Sequence, residues 1–173
     1  MLKTADKLER IIEKLGWLAR ASLLAMVLLV AVDVLLRYFF SISPVPLQEL
    51  EWHLISPVAL LGISYALKHR ADVRVDLFYE RFSPRCKAMV DLVSALLTIG
   101  VGSYIAWLAW PYVTQSYAMG EGSPNPGGLP YRFLLKAFLP LGFAALALQG
   151  CADALRSLKE LQAPRGTTRE EAA

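Results

Sequence analysis

The sequence is poor in the side chains that hold metals and redox cofactors, since its 173 residues include only 2 cysteines and 2 histidines. Cys86 and Cys151 belong to no CxxC pair and have no neighbouring histidine, so no zinc, iron-sulfur or thioredoxin-type site is predicted. His53 and His69 would lie about 24 Å apart along one helix, too far to share a metal ion. A four-helix cytochrome would need more histidines as haem ligands. The sequence therefore predicts no cofactor.

Catalytic motifs are also missing. The chain has no GxSxG, no HExxH, no Walker loop and no Ser/His/Asp arrangement, so we predict that it is not an enzyme. A self-contained carrier is not favoured either, because the sequence has no internal repeat and no pair of broken helices near the middle of a membrane. These absences favour a helical membrane subunit that works with something larger.

Charged residues make up only 19% of the chain, whereas apolar residues reach 55% and the mean hydropathy is +0.42. Four runs are mostly apolar for roughly the 20 residues that a helix needs to cross the hydrocarbon core. We therefore predict an all-α membrane protein, with a membrane domain at 16–160 and spans at about 16–40, 47–68, 86–113 and 131–155. The first run is too long for a cleavable signal peptide, so we expect it to be retained.

Lysine and arginine are absent from two predicted loops, 41–47 and 114–130, while both ends of the chain and the loop between spans two and three are rich in them. Under the positive-inside rule, this alternation places both termini and the middle loop in the cytoplasm. The basic residues flank the spans and do not line one soluble surface, so we predict no binding to nucleic acid.

Amphipathic segments flank the spans. Residues 1–15 carry an apolar stripe at helical spacing, which predicts an N-terminal helix. This helix either lies on the inner leaflet or extends the first span and packs on its neighbours. A second surface helix is predicted around Val75, Phe78, Tyr79 and Phe82, and residues 161–173 are predicted to form a disordered cytoplasmic tail.

Three acidic and three basic residues fall in the outer half of the spans or at the outer surface: Asp33, Arg37, Glu49, Glu51, Arg132 and Lys136. Asp33 and Arg37 have the spacing and order of a favourable helical ion pair. Arg132 and Lys136 share one helix face and need acids opposite them. We therefore predict a network of charges that joins spans one, two and four, with or without groups from a partner. In the alternatives, the two glutamates serve the helix dipole, and the two bases of span four extend to lipid headgroups.

The loop between spans three and four is dense in proline and glycine, which predicts a shaped series of turns and not a long disordered loop. Its central residues are Ser123, Pro124, Asn125, Pro126, Gly127 and Gly128. The loop leads directly into Arg132 and Lys136, so its shape and the charges of span four are expected to belong to one region.

Several short motifs, in this order, resemble the small membrane subunit of TRAP (tripartite ATP-independent periplasmic) transporters. They are RY at 37–38, ELEW at 49–52, GISYALK at 62–68, VRVD at 73–76, SPNPGGLPYRFLLKAFLPLGF at 123–143 and LQ at 148–149. The extended GEGSPNPGGLP loop looks more like the branch labelled for mannitol or chloroaromatic compounds. The family frequently has a histidine where this chain has Asp72, so a role for that histidine is not carried over.

The resemblance implies a secondary transporter of the bacterial inner membrane. In it, a periplasmic binding protein delivers an organic acid or similar solute, and a large membrane subunit carries the solute inward by an elevator motion coupled to sodium. The small subunit would brace the large one and hold no substrate or sodium site. Residues 123–128 would help to dock the binding protein.

Two other classes are compatible with four spans. The first is a stand-alone channel or small exporter, which would have no large membrane subunit encoded beside it. The second is a membrane-embedded redox subunit, which would require a cofactor. A neighbouring reading frame of about 12 spans, and another with a signal peptide, would favour the transporter subunit over both alternatives.

Overall fold

The computed structural model describes residues 2–71, 79 and 82–162. This part of the chain contains four long helices and no strand: α1 (Leu2–Phe40), α2 (Val45–Lys68), α3 (Pro84–Ala118) and α4 (Arg132–Gln162). All four are long and apolar enough to cross a membrane. The prediction of an all-α membrane protein with four transmembrane helices is confirmed.

Local sequence explains where the helices begin and end. Ser83 precedes α3 and its hydroxyl accepts a 3.3 Å hydrogen bond from the backbone amide of Cys86, while Pro84 occupies the first helical position. At the end of α1, Ser41 adopts a left-handed conformation with φ +55°. Its amide donates to the carbonyl of Arg37 at 3.1 Å, which closes the last turn. The turn to α2 is therefore only a few residues long.

The N-terminal segment is continuous with the first span, since α1 runs without a break from Leu2 to Phe40. Ala5 and Ile12 are fully buried against the other helices. Glu9 pairs with Arg156 of α4 at 2.7 Å. This arrangement corresponds to the second alternative for residues 1–15, an extension of the first span that packs on its neighbours.

Helix α3 packs on α4 through a stripe of small side chains that recurs every seven residues. These buried residues are Ala88, Ala95, Gly102, Ala109 and Ser116. A methyl group added at Gly102 would lie 2.9 Å from the carbonyl oxygen of Phe143, so the two backbones are in direct contact there. A seven-residue period of small residues is typical of close helix pairs in membranes.

Helix α4 is the central element, because it contacts α1, α2 and α3, whereas α1 and α2 also pack on each other. Large apolar side chains on the outside of this bundle are exposed, among them Leu24, Leu28 and Leu97. In a soluble protein such a surface would be a liability, but a lipid bilayer is apolar and covers it without cost.

Several predicted features lie outside the described residues. Among them are most of the surface helix around Val75 and Phe78, the position of Asp72, and the tail from residue 163 onward. The cytoplasmic placement of both termini is likewise still a prediction from the distribution of positive charge.

Candidate functional site at the loop between α3 and α4

The loop at 119–131 is folded by its own hydrogen bonds. The amide of Gly128 donates to the carbonyl of Asn125 at 3.0 Å, with Pro126 and Gly127 between them. Gly127 has φ +77°, so the four residues form a type II turn with proline and glycine in their preferred places. Below this turn, the amide of Ser123 donates to the carbonyl of Leu129 at 3.1 Å.

The side chain of Glu49, in the second turn of α2, holds this loop in place. Glu49 is only 6% exposed. Its carboxylate accepts hydrogen bonds from the Ser123 hydroxyl, from the Asn125 side-chain amide at 3.0 Å and from the Leu129 backbone amide at 2.6 Å. Three donors from the loop thus converge on one carboxylate, and these hydrogen bonds offset the cost of burying its charge.

Gly128 is required where the loop passes over Glu49. A methyl group built on Gly128 would lie 2.6 Å from Oε1 of Glu49 and would also collide with the side chain of Ser123. No other residue fits without moving the carboxylate or the loop. The turn and the carboxylate are therefore packed as one unit.

A second support lies at the base of the loop, where Lys136 of α4 pairs with Glu121. The Lys136 ammonium also lies 4.0 Å from the centre of the Tyr112 ring, a cation–π contact with α3. Glu121 is anchored through its backbone as well, because its carbonyl accepts from the Arg132 amide at 3.0 Å. The hydrogen bond from Lys136 is the main reason that the pKa of Glu121 lies below its usual value.

A third group connects α1 with the start of α2. Asp33 is 3% exposed and pairs with Arg37 at 2.6 Å. The hydroxyl of Ser43 donates to Asp33 at 3.4 Å and accepts from the side-chain amide of Gln48 at 2.6 Å. This chain of polar contacts ends one residue before Glu49, so the α1–α2 turn and the loop support meet at the same end of α2.

The six predicted charges thus divide among separate contacts. Asp33 pairs with Arg37, Glu49 binds loop donors, and Lys136 pairs with Glu121. Within residues 2–71, 79 and 82–162, the side chains of Glu51 and Arg132 form no ion pair and no hydrogen bond. The inclusion of partner groups in a wider network stays a prediction.

Sequence reasoning missed Glu121, Ser43 and Gln48. Glu121 had a signal, because it is the single charged residue in the loop at 114–130 and precedes two bases of span four. The roles of Ser43 and Gln48 have no such signal, since neutral polar residues near a turn are common.

The apex of the loop is exposed and uncharged. Pro124, Asn125, Pro126 and Gly127 are all exposed, while Ser123 and Gly128 beneath them are partly covered. The described residues contain no cluster of three or more His, Cys, Asp or Glu side chains that could hold a metal ion. The apex therefore presents neutral groups and no charged side chain at its surface.

Two comparisons with known proteins agree on a family. The family model described as "Tripartite ATP-independent periplasmic transporters, DctQ component" matches residues 26–160. The ectoine TRAP transporter small permease protein TeaB of Halomonas elongata is 27% identical over 153 residues, which is 88% of this chain and 75% of TeaB. The finer resemblance to a mannitol or chloroaromatic branch is not confirmed by either comparison.

Proposed function

This chain belongs to the DctQ family of TRAP transporter components, and from this premise we propose that it is a scaffold subunit that helps to dock a periplasmic binding protein. The family and the four membrane-spanning helices make it a multi-pass protein of the bacterial inner membrane. A component of a transporter permease does not belong to a class of enzymes.

The proposed complex has two further members. A large membrane subunit would move the solute by an elevator motion coupled to sodium, and a soluble binding protein would deliver an organic acid or similar solute. The name of TeaB gives ectoine as the solute of that system. We assign no solute to this chain, because specificity would lie in its partners.

A bracing role is supported by the way the chain uses its polar groups. Asp33, Glu49 and Lys136 each make a contact that holds a helix to a turn or loop. Asp33 contacts Ser43, Glu49 contacts Leu129, and Lys136 contacts Glu121. None of the three is left free to bind a solute without breaking such a contact. Groups committed to structure are what a scaffold requires.

The observation that carries the docking role is the set of three hydrogen bonds by which the Glu49 carboxylate holds the loop, which we call the clamp. The clamp fixes Ser123 and Leu129 and presents an exposed, uncharged apex at 124–127. A surface that is already ordered loses little conformational entropy when a partner binds. The apex lies between two transmembrane helices and therefore at a membrane surface, where a soluble partner can reach it.

Site-specific cross-linking tests the docking proposal. Cys86 and Cys151 are first replaced by alanine, and single cysteines are then placed at Pro126 on the apex or at Lys159 near the opposite end of α4. After co-expression with the neighbouring gene products, the Pro126→Cys variant should cross-link to the binding protein and the Lys159→Cys variant should not. Equal cross-linking at both positions would contradict the proposal.

Co-purification tests the scaffold proposal separately. The tagged chain is expected to bring down a large membrane protein, identified by mass spectrometry. Solute flux through proteoliposomes that contain this chain alone would instead favour the stand-alone channel or exporter. Sodium coupling is tested in the complete complex, where removal of the sodium gradient should abolish uptake.

A further inference from the structure

A separate group of charged side chains meets at the other end of the bundle from the loop. Glu13 of α1 pairs with Lys68 at the end of α2 and lies 3.4 Å from the Nε2 atom of His69. The guanidinium of Arg20, two turns further along α1, lies 3.4 Å from the same carboxylate. Three side chains that can carry positive charge therefore surround one carboxylate.

The charges in this group do not balance. Arg20 and Lys68 are both cationic at neutral pH, and Glu13 supplies one negative charge. An arginine has five N–H donors and a lysine three, so several donors remain after the contacts with Glu13. Among the described residues, this corner thus combines a net positive charge with unused donors that point to an anionic ligand.

The group is held by packing and is not a set of free surface chains. The ring of Tyr65 fills a notch at Gly16, where any added side chain would collide with it. The Arg20 guanidinium lies 5.0 Å from the centre of that ring, and the His69 ring lies 4.4 Å from it. The aromatic ring thus sets the positions of two of the three basic groups.

The group lies at the edge of the hydrocarbon layer. Helix α2 has 24 residues, about 36 Å at 1.5 Å per residue, so Lys68 at its end reaches the headgroup region. Trp17, which is 66% exposed, marks the same level on α1, as tryptophan does at membrane interfaces. The side chains of Arg20 and His69 are 55% and 47% exposed, so a headgroup can reach them. The Lys68 side chain is only 16% exposed and contributes mainly its positive charge.

We propose that Arg20, Lys68 and His69 form a binding site for the phosphate of an anionic phospholipid. The source is a lipid and not free phosphate, because the donors sit at headgroup depth beside exposed apolar surface, where phosphates are concentrated. Basic pockets between transmembrane helices bind such headgroups. The proposal does not depend on the transporter assignment.

Native mass spectrometry of the purified chain measures lipid binding at this site. Dioleoylphosphatidylglycerol is the probe and dioleoylphosphatidylcholine is the neutral reference. The Arg20→Gln and Lys68→Gln variants should each bind phosphatidylglycerol about fivefold more weakly, since one surface charge contributes about that factor. The Lys14→Gln variant is the control, because it removes one exposed positive charge at the same level of α1. It should bind as the unaltered chain does.

Three outcomes would overturn the site. Equal weakening in Lys14→Gln would mean that only the overall charge matters. Unchanged binding in both glutamine variants would mean that the lipid sits elsewhere. Displacement of the lipid by millimolar inorganic phosphate would assign the site to a free anion. Lys68→Arg keeps the charge and should retain binding. Thermal unfolding in detergent checks that the two glutamine variants are folded, since each should melt as the unaltered chain does.

Discussion

The carboxylate of Glu49 accepts a 2.6 Å hydrogen bond from the backbone amide of Leu129, although the two residues are 80 positions apart in the chain. This contact ties the loop between α3 and α4 to the start of α2. Glu49 accepts hydrogen bonds from a hydroxyl, a side-chain amide and a backbone amide, and none of these donors is a cation. The carboxylate is therefore a structural support of the loop.

Neutralising Glu49 should loosen the loop. In Glu49→Gln, the amide group keeps one acceptor but loses the charge that strengthens all three hydrogen bonds. We expect backbone hydrogen exchange at 123–129 to become about tenfold faster, which corresponds to the loss of roughly one hydrogen bond to a charged group. Exchange followed by mass spectrometry measures this directly.

Glu51→Gln is the matched control for that experiment. Glu51 lies two residues later on the same helix, and its side chain makes no hydrogen bond in the described part of the chain. In the Glu51→Gln variant, backbone hydrogens at 123–129 should exchange at the rate of the unaltered protein. If Glu51→Gln accelerated exchange as much as Glu49→Gln, the clamp would not be specific to Glu49.

The fold could be predicted from the sequence because its main cause is the bilayer. Apolar runs long enough to cross hydrocarbon must form helices, since backbone groups in lipid have no other partners. The helices continue beyond the predicted spans, for example to Ala118 in α3, because helical hydrogen bonding does not stop where hydropathy falls. The stripe of small residues that includes Ala95 and Gly102 was not predicted, although its seven-residue spacing is present in the sequence.

The candidate site could be predicted only in outline. The charge pattern predicted that Glu49 and Lys136 lie at the same end of the bundle. It also suggested that such charges pair with one another, and Glu49 does not follow this expectation. The partners of Glu49 are neutral groups such as the Leu129 amide, which every residue except proline possesses. Which amide faces a carboxylate depends on the three-dimensional path of the loop, and no local sequence signal encodes it.

Acid should weaken the second loop support. The pKa of Glu121 is lowered in the folded protein, chiefly by the hydrogen bond from Lys136. A depressed pKa means that the contribution to stability is complete above the unfolded pKa of about 4.3 and is lost as the pH falls through the lower folded value. Glu121→Gln should therefore reduce the acid-dependent loss of thermal stability between about pH 5 and about pH 3.

Glu160→Gln is the comparison for this titration. Glu160 is exposed near the end of α4 and forms no ion pair with other described residues. Its removal should leave the pH dependence of the melting temperature unchanged. An identical pH profile for Glu121→Gln and the unaltered protein would rule out the ion pair as a source of stability.

Two glycines on α3 should respond in opposite ways to alanine. At Gly102 the new methyl group would lie 2.9 Å from the Phe143 carbonyl and 3.2 Å from the Ala147 side chain, so α4 must move. We expect a loss of about 1–3 kcal/mol, as for other overpacked interiors. At Gly100 nothing lies within 4 Å, and Gly100→Ala should be neutral or stabilise by up to about 1 kcal/mol. Thermal unfolding in detergent compares them, and equal losses would contradict the close α3–α4 packing.

The most direct test of the docking role is the concentration of binding protein that gives half-maximal solute uptake by the reconstituted complex. A Pro126→Trp variant places a bulky ring on the exposed apex. It should raise that concentration about tenfold, because about 1.4 kcal/mol of binding free energy would be lost. Maximal uptake should be unchanged. Ile42→Trp, at the exposed turn between α1 and α2, should leave it unaltered. If Pro126→Trp lowered only the maximal uptake, or changed neither quantity, the loop would not be the docking surface.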